Sequence, residues 1–571
     1  MSDYSDILEQ IKDLVARSKH SATNVTEYMG PSLRLISELT GQRTKYSGFN
    51  WDTRVRNRSA KYTALIGSED LMKGNTDPEQ KQTAAEIEVQ MARVFGGNIG
   101  GKEFKGDANR LPIDYVHRVM GSGKDPKFTF NCNFLVTTKN PMNHHIAYMW
   151  GKMLREVDPV EEAPNIYILM VPDINTGTYG RFYAIPDIGV TVGLGSDYMG
   201  ECKKGFLRMA MYFAKQNGIL GVHAASKVVK ALDAEEGKIK TYGVIIFGLS
   251  GTGKTTNIGH THFLDSELGE ASLVAQDDFV GLKMEDGSVL GTEQAFFLKT
   301  DLDDDDLLLK PATRSAEFVS QNLFVDHKGS IDYLEENICA NGRGILPLSV
   351  LPKNRLYESI DLPPIEELDG LYIFFNTRRN TVVPIIQELK TPEQMAGYFM
   401  LGESIETAAG DPKNIGNSVR VVGTNPFIVG PEGEEGNMFY EFTQKFQHKI
   451  RCFVMNTGGV GELRDDDGKV IRKPARPWKN GIGYMTRSIF RNTARWDESQ
   501  WYGTKVLVGG VTDVDGNVYD LEQFRLNSLY NADDLKKMIM ELNKERIEYL
   551  EKYPTLDPEI ISAMKEFLKI D

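Results

Sequence analysis

The chain has 571 residues, of which 41% are hydrophobic and 26% are charged, which is an ordinary composition for a globular protein. Its formal net charge of −14 disfavours non-specific binding to nucleic acid. The sequence has no apolar run of about 18 residues or more, so it predicts no membrane span. The first residues lack the apolar stretch of a secretory signal and the cysteines are far apart, which together predict a cytosolic protein.

Apolar spacing predicts both helices and strands in the N-terminal part of the chain. Ile7, Ile11 and Leu14 recur at helical spacing and predict an amphipathic helix over residues 4–16. Later apolar runs are separated by Pro, Gly or polar residues, as is typical of strands. The predicted strands are residues 128–136, 165–171 and 188–195, and the predicted helices are residues 144–157 and 206–216.

A second group of short strands begins after Thr241. The charged stretch at residues 230–240 marks a predicted boundary between one lobe of residues 1–235 and another of residues 236–571. Residues 461–481 are charged and Gly-rich, which predicts a surface loop, and the last 38 or so residues predict two helices. The fold class indicated by these elements is mixed α/β (α+β), with two lobes.

The strongest local motif is the segment GLSGTGKTT, which follows a predicted strand. It fits the phosphate-binding pattern G-x-x-x-x-G-K-[ST]. Glycines let consecutive backbone N–H groups turn toward an anion, the lysine reaches the terminal phosphates, and the hydroxyl after it can bind Mg²⁺. A Gly-rich hairpin is the alternative interpretation. The predicted nucleotide-binding residues of this segment are Gly248, Ser250, Gly251, Thr252, Gly253, Lys254, Thr255 and Thr256.

An acidic pair follows about 22 residues later, a spacing at which phosphate-loop enzymes hold their metal with a carboxylate. Asp277 and Asp278 end the apolar run SLVAQ, which predicts a strand. Acidic pairs at strand ends are common by themselves, so the upstream loop is what favours a metal site here. We expect Asp277, Asp278 and Thr255 to be metal ligands.

A segment upstream of the loop resembles a known enzyme family. The motif YMGECKKG contains Tyr198, Lys203 and Lys204, and His223 follows it before the phosphate loop. This order resembles the ATP-dependent phosphoenolpyruvate carboxykinases. The resemblance implies a two-lobed carboxykinase-like fold with the phosphate loop in the C-terminal lobe, and it implies ATP, Mg²⁺ and Mn²⁺ as cofactors. It also implies that Lys204, His223 and Asp278 bind Mn²⁺, and that Lys203 contacts the transferred phosphate.

Further positions match the family in the expected order. By this resemblance, Arg58 holds the substrate carboxylate, Tyr198 lines the substrate pocket and Arg343 bridges substrate and phosphate. Lys299 contacts the nucleotide phosphates, and Lys413 stands where the nucleotide lid of the family carries an arginine.

The chain also departs from the family near the acceptor. Arg58 lies in Asn-Arg-Ser-Ala instead of Gly-Arg-Ser-Pro, and Phe-Val-Gly follows the aspartate pair instead of an acidic-His-Gly run.

Three hypotheses for the function remain at this point. The first is a carboxykinase that converts oxaloacetate and ATP to phosphoenolpyruvate, CO₂ and ADP. The second is a related kinase that phosphorylates another small acceptor, such as a polyol, a sugar or an amino acid. The third is a non-catalytic nucleotide-binding protein, which the resemblance disfavours because a sensor needs no second metal. We expect a small-molecule substrate and a nucleotide as partners, with no nucleic acid or membrane. The sequence does not predict the oligomeric state.

Overall fold

The computed structural model describes residues 4–21, 23–55, 63–67, 83–177, 180–249, 251–302, 306, 308–335, 341–405, 418–465, 467, 469–477 and 480–569. The chain divides into two compact units that interleave in sequence. The first unit contains residues 1–217, 292–351 and 427–430, and the second contains residues 218–291, 352–426 and 431–571. Residues 230–240, where the sequence predicts a lobe boundary, lie within the second unit at the turn between two antiparallel strands.

The first unit is built on two mixed sheets. In spatial order the larger sheet consists of Val25–Glu27, Ile113–Met120, Phe130–Thr137, Asn165–Val171, Val190–Leu194, Arg181–Ile185 and Thr63–Leu65. The smaller consists of Ala295–Lys299, Arg343–Pro347, Val319–Gln321, Phe49–Trp51 and Gln42–Arg43. Two short hairpins pair Gly97–Ile99 with Lys102–Phe104 and Phe324–Val325 with Ile331–Asp332.

The helices of the first unit are Ser5–Arg17, Gly30–Glu38, Ala84–Phe95, Asp107–Arg110, His144–Gly151, Gly200–Gln216 and Leu309–Ala312. Residues of Ser5–Arg17, Ala84–Phe95 and Asp107–Arg110 supply part of the core of the larger sheet. The opening helix buries Ile7, Ile11 and Leu14 against that core, as its sequence spacing predicts. The helix predicted over residues 144–157 ends earlier, at Gly151, where the buried Arg118 side chain donates to the Gly151 carbonyl.

The second unit is built on an eight-stranded mixed sheet. Its strands in spatial order are Ala271–Gln276, Ala224–Leu232, Ile239–Gly248, Gly370–Thr377, Ile450–Asn456, Ile386–Leu389, Lys505–Gly509 and Arg495–Glu498. A three-stranded sheet (Ile219–Val222, Val280–Lys283, Val289–Gly291) adjoins it in sequence, and two hairpins pair Glu403–Ile405 with Ser418–Arg420 and Leu463–Arg464 with Val470–Arg472. The central strand Gly370–Thr377 is buried along its whole length, which explains its continuous apolar sequence.

The helices of the second unit are Lys254–Gly259, Pro392–Leu401, Glu432–Lys445, Gly481–Phe490, Leu526–Leu529, Ala532–Leu550 and Pro558–Leu568. The last two are the helices predicted at the end of the chain. The segment predicted as a surface loop contains the hairpin of Leu463–Arg464 and Val470–Arg472, and it ends where the helix Gly481–Phe490 begins. Beside this hairpin, the backbones of Val460 and Ala475 also hydrogen-bond to each other.

The observed fold class is mixed α/β with several sheets, as the sequence predicts. Within the described ranges, no helix has the length and apolar character needed to cross a membrane.

A buried ion cluster ties the long C-terminal helix to the rest of the second unit. Arg546 is fully buried in that helix and forms a bidentate pair with Glu403, whose side chain is 3% exposed. Arg379 and Arg420 approach the same carboxylate at 3.4 and 3.7 Å. Burial alone would raise the pKa of Glu403, but Arg546, Arg379 and Arg420 lower it to about 2.

We expect Glu403→Gln to destabilise the protein by about 3–5 kcal/mol at pH 7, because it leaves buried arginines without their countercharge. A carboxylate with a depressed folded-state pKa contributes stability above its unfolded pKa and loses it as the pH falls through the folded value. The parent should therefore lose stability between pH 4.5 and about 2, and Glu403→Gln should lose less over that range. Urea unfolding across this pH range measures both effects.

The control is Glu551→Gln, which removes an exposed pair with Lys565 and should change the free energy of unfolding by less than about 1 kcal/mol. Equal effects of the two changes would contradict this assignment.

Candidate active site

Three chain segments meet at one edge of the eight-stranded sheet. In the strand Ala224–Leu232, Ala224 pairs with Phe247 of one neighbour and Ser226 pairs with Gln276 of the other. The strands run antiparallel, so the histidine before this strand, the glycine-rich turn after one neighbour and the aspartate pair after the other all lie at the same edge. The strand register therefore brings together residues that are distant in sequence.

The glycine-rich turn connects the strand Ile239–Gly248 to the helix Lys254–Gly259, which we call the loop helix. Gly251 and Gly253 have φ values of +84° and +88°, which side chains rarely allow. A Cβ on Gly248 would lie 2.4 Å from the Thr252 hydroxyl oxygen, so this glycine is required by close approach. Gly251 and Gly253 thus have backbone conformations that favour glycine, and Lys254 begins the loop helix.

Lys254 is 8% exposed and contacts the aspartate and histidine that the sequence singles out. Its Nζ lies 2.9 Å from Asp278 Oδ1 and 3.2 Å from His223 Nε2. His223 Nε2 and Asp278 Oδ1 are 2.9 Å apart. Asp278 adopts a φ of +77°, a strained conformation for a residue other than glycine, which turns it out of the strand direction. Three of the predicted site residues therefore form one cluster in the second unit.

The hydrogen bond on the far side of the imidazole fixes which nitrogen of His223 carries the proton. His223 Nδ1 lies 2.8 Å from the Thr424 carbonyl oxygen, which can only accept, so Nδ1 is the donor. In the neutral ring Nε2 then presents a lone pair beside a carboxylate oxygen. Two acceptors that lie 2.9 Å apart, here His223 Nε2 and Asp278 Oδ1, need a cation near both, and the Lys254 ammonium lies there. A nitrogen lone pair with a carboxylate is also a ligand set that divalent metals accept. The pair therefore fits a metal ion.

The predicted metal ligands belong to different units of the chain. Among the described residues, no group of three or more His, Cys, Asp or Glu side chains is arranged to hold a metal. His223 and Asp278 belong to the second unit, whereas Lys204 belongs to the first. Asp277 is 3% exposed next to this pair. The complete ligand set of Lys204, His223 and Asp278, with Asp277 and Thr255 for a further ion, stays a prediction.

Two side chains that sequence reasoning did not assign to the site donate hydrogen bonds to backbone carbonyls of the glycine-rich turn. Thr457 donates from Oγ1 to the Thr252 carbonyl at 3.1 Å, and Arg378 donates to the Gly251 carbonyl at 3.2 Å. Asn456, the first residue of the Asn-Thr-Gly segment, caps its own turn by accepting from two backbone N–H groups and donating to two carbonyls. The Asn-Thr-Gly pattern was the available signal for Thr457, and no local signal marks Arg378.

In the first unit, Lys203 and Arg343 share one aromatic ring. Lys203 is 1% exposed, and its Nζ lies 2.8 Å from Glu293 Oε2 and 5.2 Å from the centre of the Phe297 ring. The Arg343 guanidinium lies 5.5 Å from the same ring centre and donates from Nε to the Tyr198 hydroxyl at 3.2 Å. Two cations and a phenol are thus held together, a group suited to an anionic ligand. Sequence reasoning missed Glu293 and Phe297, which no motif marked.

The other two lysines predicted in this unit have different surroundings. Lys204 Nζ lies 4.9 Å from the centre of the Phe427 ring, which also contacts Arg208. Burial lowers the pKa of Arg208 to about 10, with a partial opposing effect of Glu201. Lys299 pairs with Arg343 in strand register and contacts the exposed carboxylate of Asp301.

Some predicted site residues cannot be placed in this geometry. Arg58, Ser250 and Lys413 lie outside the described residues, and of Thr255 only the backbone within the loop helix is described. Thr256 follows in the same helix with an exposed side chain.

A strand, a glycine-rich turn and a lysine at the start of a helix form the arrangement of proteins that bind nucleotide phosphates. Residues 115–474 match the family model described as phosphoenolpyruvate carboxykinase, which is more than half of the chain. The protein therefore belongs to the ATP-dependent phosphoenolpyruvate carboxykinase family and is an enzyme of the carboxykinase type. Enzymes of this family use ATP with divalent metals such as Mn²⁺ and Mg²⁺.

Curated relatives agree with this family. The chain is 31% identical over 371 residues to the ATP-dependent phosphoenolpyruvate carboxykinase of Aeropyrum pernix. The aligned residues cover 64% of this chain and 68% of that relative. It is 28% identical over 294 residues to the glycosomal enzyme of Trypanosoma cruzi, covering 50% of this chain and 54% of the relative. It is 24% identical over 364 residues to the Sinorhizobium fredii enzyme, covering 60% of each chain.

The Lys203–Glu293 ion pair of the first unit can be tested by mutation. Both side chains are almost fully buried, at 1% and 2% exposure, so Glu293→Gln should destabilise the protein by about 3 kcal/mol or more, because a buried ammonium loses its countercharge. Urea unfolding at pH 7 measures the change. Glu317→Gln removes the partner of Lys152 at a site where the carboxylate is 46% exposed, and it should cost below about 1 kcal/mol. A cost for Glu293→Gln no larger than that of the control would show that the pair is not a buried ion pair.

Proposed function

We propose that this protein converts oxaloacetate and ATP to phosphoenolpyruvate, CO₂ and ADP. The observation that supports this most is the cluster of Lys254, His223 and Asp278 at the end of the phosphate-loop strand, in a chain that belongs to the carboxykinase family. A simple phosphate-binding loop needs Lys254 alone. A neutral imidazole with its lone pair beside a carboxylate serves a metal ion as well, which this reaction requires.

The proposed reaction has two steps, decarboxylation and phosphoryl transfer. Oxaloacetate loses CO₂ by cleavage of a carbon–carbon bond, and the bonding electrons form an enolate. The enolate oxygen then attacks the γ-phosphorus of ATP, and the bond to the β,γ-bridging oxygen breaks to release ADP. Phosphoryl transfer depends mainly on positioning and charge neutralisation, because little covalent chemistry remains for the protein.

The groups of the first unit are proposed to bind oxaloacetate and the transferred phosphate. Arg343 and Lys203 offer positive charge from a common aromatic support, and the Tyr198 hydroxyl, held by Arg343, faces the same group. Arg58 is proposed to hold the substrate carboxylate by a bidentate pair. These fixed cations would stabilise charge as it develops on the enolate and phosphate oxygens.

The phosphate loop and its neighbours are proposed to bind ATP. Backbone N–H groups of residues 248–253 would surround the phosphates, and Lys254, Lys299 and Lys413 would neutralise them. Thr255 and Asp277 are proposed to hold Mg²⁺, and Lys204, His223 and Asp278 to hold Mn²⁺. These ions supply Lewis-acid stabilisation of phosphate and enolate oxygens. The protein's own contribution is to keep His223 in the tautomer set by the Thr424 carbonyl, which leaves the Nε2 lone pair available.

In this proposal the N-terminal lobe binds the substrate and the lobe with the phosphate loop binds the nucleotide, as the sequence predicts. The dispersed cysteines favour a reducing compartment, and we propose the cytosol as the location.

A kinase for another small acceptor is the second candidate. The observation that favours it is Phe279, which follows the metal-site aspartate where the family carries an acidic residue, and which is fully buried. A buried phenyl ring cannot supply the charge that an acidic side chain would bring to the acceptor side. Such an enzyme would keep the phosphate loop and the metal pair and differ in what it phosphorylates.

A coupled assay with oxaloacetate, ATP, Mg²⁺ and Mn²⁺ tests the proposal. We expect the parent to form phosphoenolpyruvate, and Lys204→Ala and Lys254→Ala to lose the activity by about 100-fold or more, because the first removes a proposed metal ligand and the second removes a positive charge that the transition state requires. Lys544→Ala, at a side chain that is 72% exposed, should retain full activity.

No phosphoenolpyruvate from a folded parent that binds ATP would contradict the carboxykinase proposal. Transfer of the γ-phosphate to another small acceptor, lost in the same two variants, would then establish the second candidate. A parent that binds ATP without any turnover would leave a nucleotide-binding protein.

A further inference from the structure

A buried lysine on the strand Ala224–Leu232 contacts the C-terminal end of the loop helix. Lys227 is 0% exposed, and its Nζ donates to the Asn257 carbonyl at 2.7 Å and to the His260 carbonyl at 3.3 Å. Asn257 lies in the last turn of the loop helix, where its carbonyl also accepts from the His260 N–H at 3.3 Å, and His260 is the first residue after the helix. A cation at a helix C-terminus is favoured by the aligned peptide dipoles. Lys227 therefore fixes the end of the helix that Lys254 begins.

The third contact of Lys227 is with an imidazole whose protonation the structure determines. His262 Nε2 contacts the Lys227 ammonium, and His262 Nδ1 lies 2.6 Å from Thr486 Oγ1. An ammonium can only donate, so His262 Nε2 accepts from Lys227 and His262 Nδ1 carries the ring proton. Nδ1 then donates to Thr486 Oγ1, and the carbonyls of Ile482 and Gly483, at 2.9 and 3.0 Å, are acceptors for the Thr486 hydroxyl hydrogen.

The backbone around His262 is strained in a way that this contact explains. His262 and Phe263 have φ values of +56° and +54°, and consecutive left-handed residues other than glycine persist only where the surroundings hold them. Arg487 donates to the Phe263 carbonyl at 3.1 Å, next to Thr486 in the helix Gly481–Phe490. This helix thus holds the turn after the loop helix in place.

A second, half-buried cation contacts the same end of the loop helix. Arg355 donates from Nη2 to the Gly259 carbonyl at 2.6 Å and from Nε to the Ser272 carbonyl at 3.4 Å. Lys227 and Arg355 together satisfy the carbonyls of Asn257, Gly259 and His260. The loop helix has only six residues, so a displacement at its end moves its first residue as well.

We propose that the chain Thr486–His262–Lys227 positions the loop helix, and through it Lys254, for binding the phosphates of a nucleoside triphosphate. Lys227 lies four residues after His223 on the same chain segment, so it ties the helix that begins with Lys254 to the strand that begins beside the metal-site histidine. Lys227 is a positioning residue because it contacts the end of the loop helix, and His262 and Thr486 are positioning residues because they act through Lys227. The inference rests on the proposed nucleotide site and assigns a role to the helix Gly481–Phe490.

Thr486→Val and Thr486→Ser form a matched pair that tests the chain at its far end. Valine keeps the shape of the threonine side chain but removes the acceptor for His262 Nδ1. The ring can then carry its proton on Nε2, which faces the Lys227 ammonium. Serine keeps the hydroxyl. We expect the dissociation constant of Mg²⁺–ATP, measured by calorimetry without oxaloacetate, to rise about 3- to 10-fold in Thr486→Val and to stay within about 2-fold of the parent in Thr486→Ser.

Lys227→Met removes the central group and should weaken Mg²⁺–ATP binding by about 10-fold or more, because displacement of a catalytic lysine by about 1 Å is costly. The KM for ATP should rise while the KM for oxaloacetate changes by less than about 2-fold. Arg118→Met is the matched control. Arg118 is 3% exposed in the first unit and donates from Nε to the last carbonyl of the helix His144–Gly151, so the change should lower stability without altering the affinity for ATP.

The outcomes separate this inference from the proposed function. A folded parent that binds no Mg²⁺–ATP overturns both. A parent that binds ATP, with Thr486→Val and Lys227→Met unchanged in affinity, overturns the positioning role alone. If Thr486→Val and Lys227→Met both fail to fold by circular dichroism, or if Arg118→Met weakens ATP binding equally, the chain is merely structural and the inference is wrong.

Discussion

The strand pairing that brings Lys254, His223 and Asp278 together is the constraint on which the proposed chemistry of the second unit depends. It requires the strand that follows His223 to pair on one side with the phosphate-loop strand and on the other with the strand before the aspartates. A shift of either pairing by one residue would turn the side chains to the opposite face of the sheet. The apolar strands of the eight-stranded sheet thus matter for function chiefly because they fix this register.

Positive charge near anionic ligands is the second constraint, and it has to be created locally in a chain whose net charge is −14. Each unit does so with buried or half-buried cations that have defined supports. In the first unit, Phe297 lies beside Lys203 and Arg343, and Arg343 donates to the Tyr198 hydroxyl. In the second, Lys254 begins the loop helix and lies beside His223 and Asp278. Cations held in this way need little reorganisation when an anion binds.

The sequence predicts the parts of the site that depend on local chemistry. The strand, the glycine-rich turn and the helix that begins with Lys254 follow from an apolar run and from glycines with positive φ, which are constraints within a few residues. Contacts between distant segments leave no such pattern. The Thr424 carbonyl that orients His223 is 201 residues away in the chain, and Thr486 is 224 residues from His262. Charged sequence around residue 470 predicts a surface loop, yet backbone pairing makes part of it a hairpin.

The most direct test of the central claim is the position of a metal ion in crystals of the protein grown with Mn²⁺ and examined by anomalous diffraction. The expected result is an anomalous peak in coordinating contact with His223 Nε2 and the Asp278 carboxylate, with Nδ1 still donating to the Thr424 carbonyl and the Lys254 ammonium displaced from the pair. A peak elsewhere, or no peak at saturating Mn²⁺, with Lys254 still in contact with both side chains, would contradict the account.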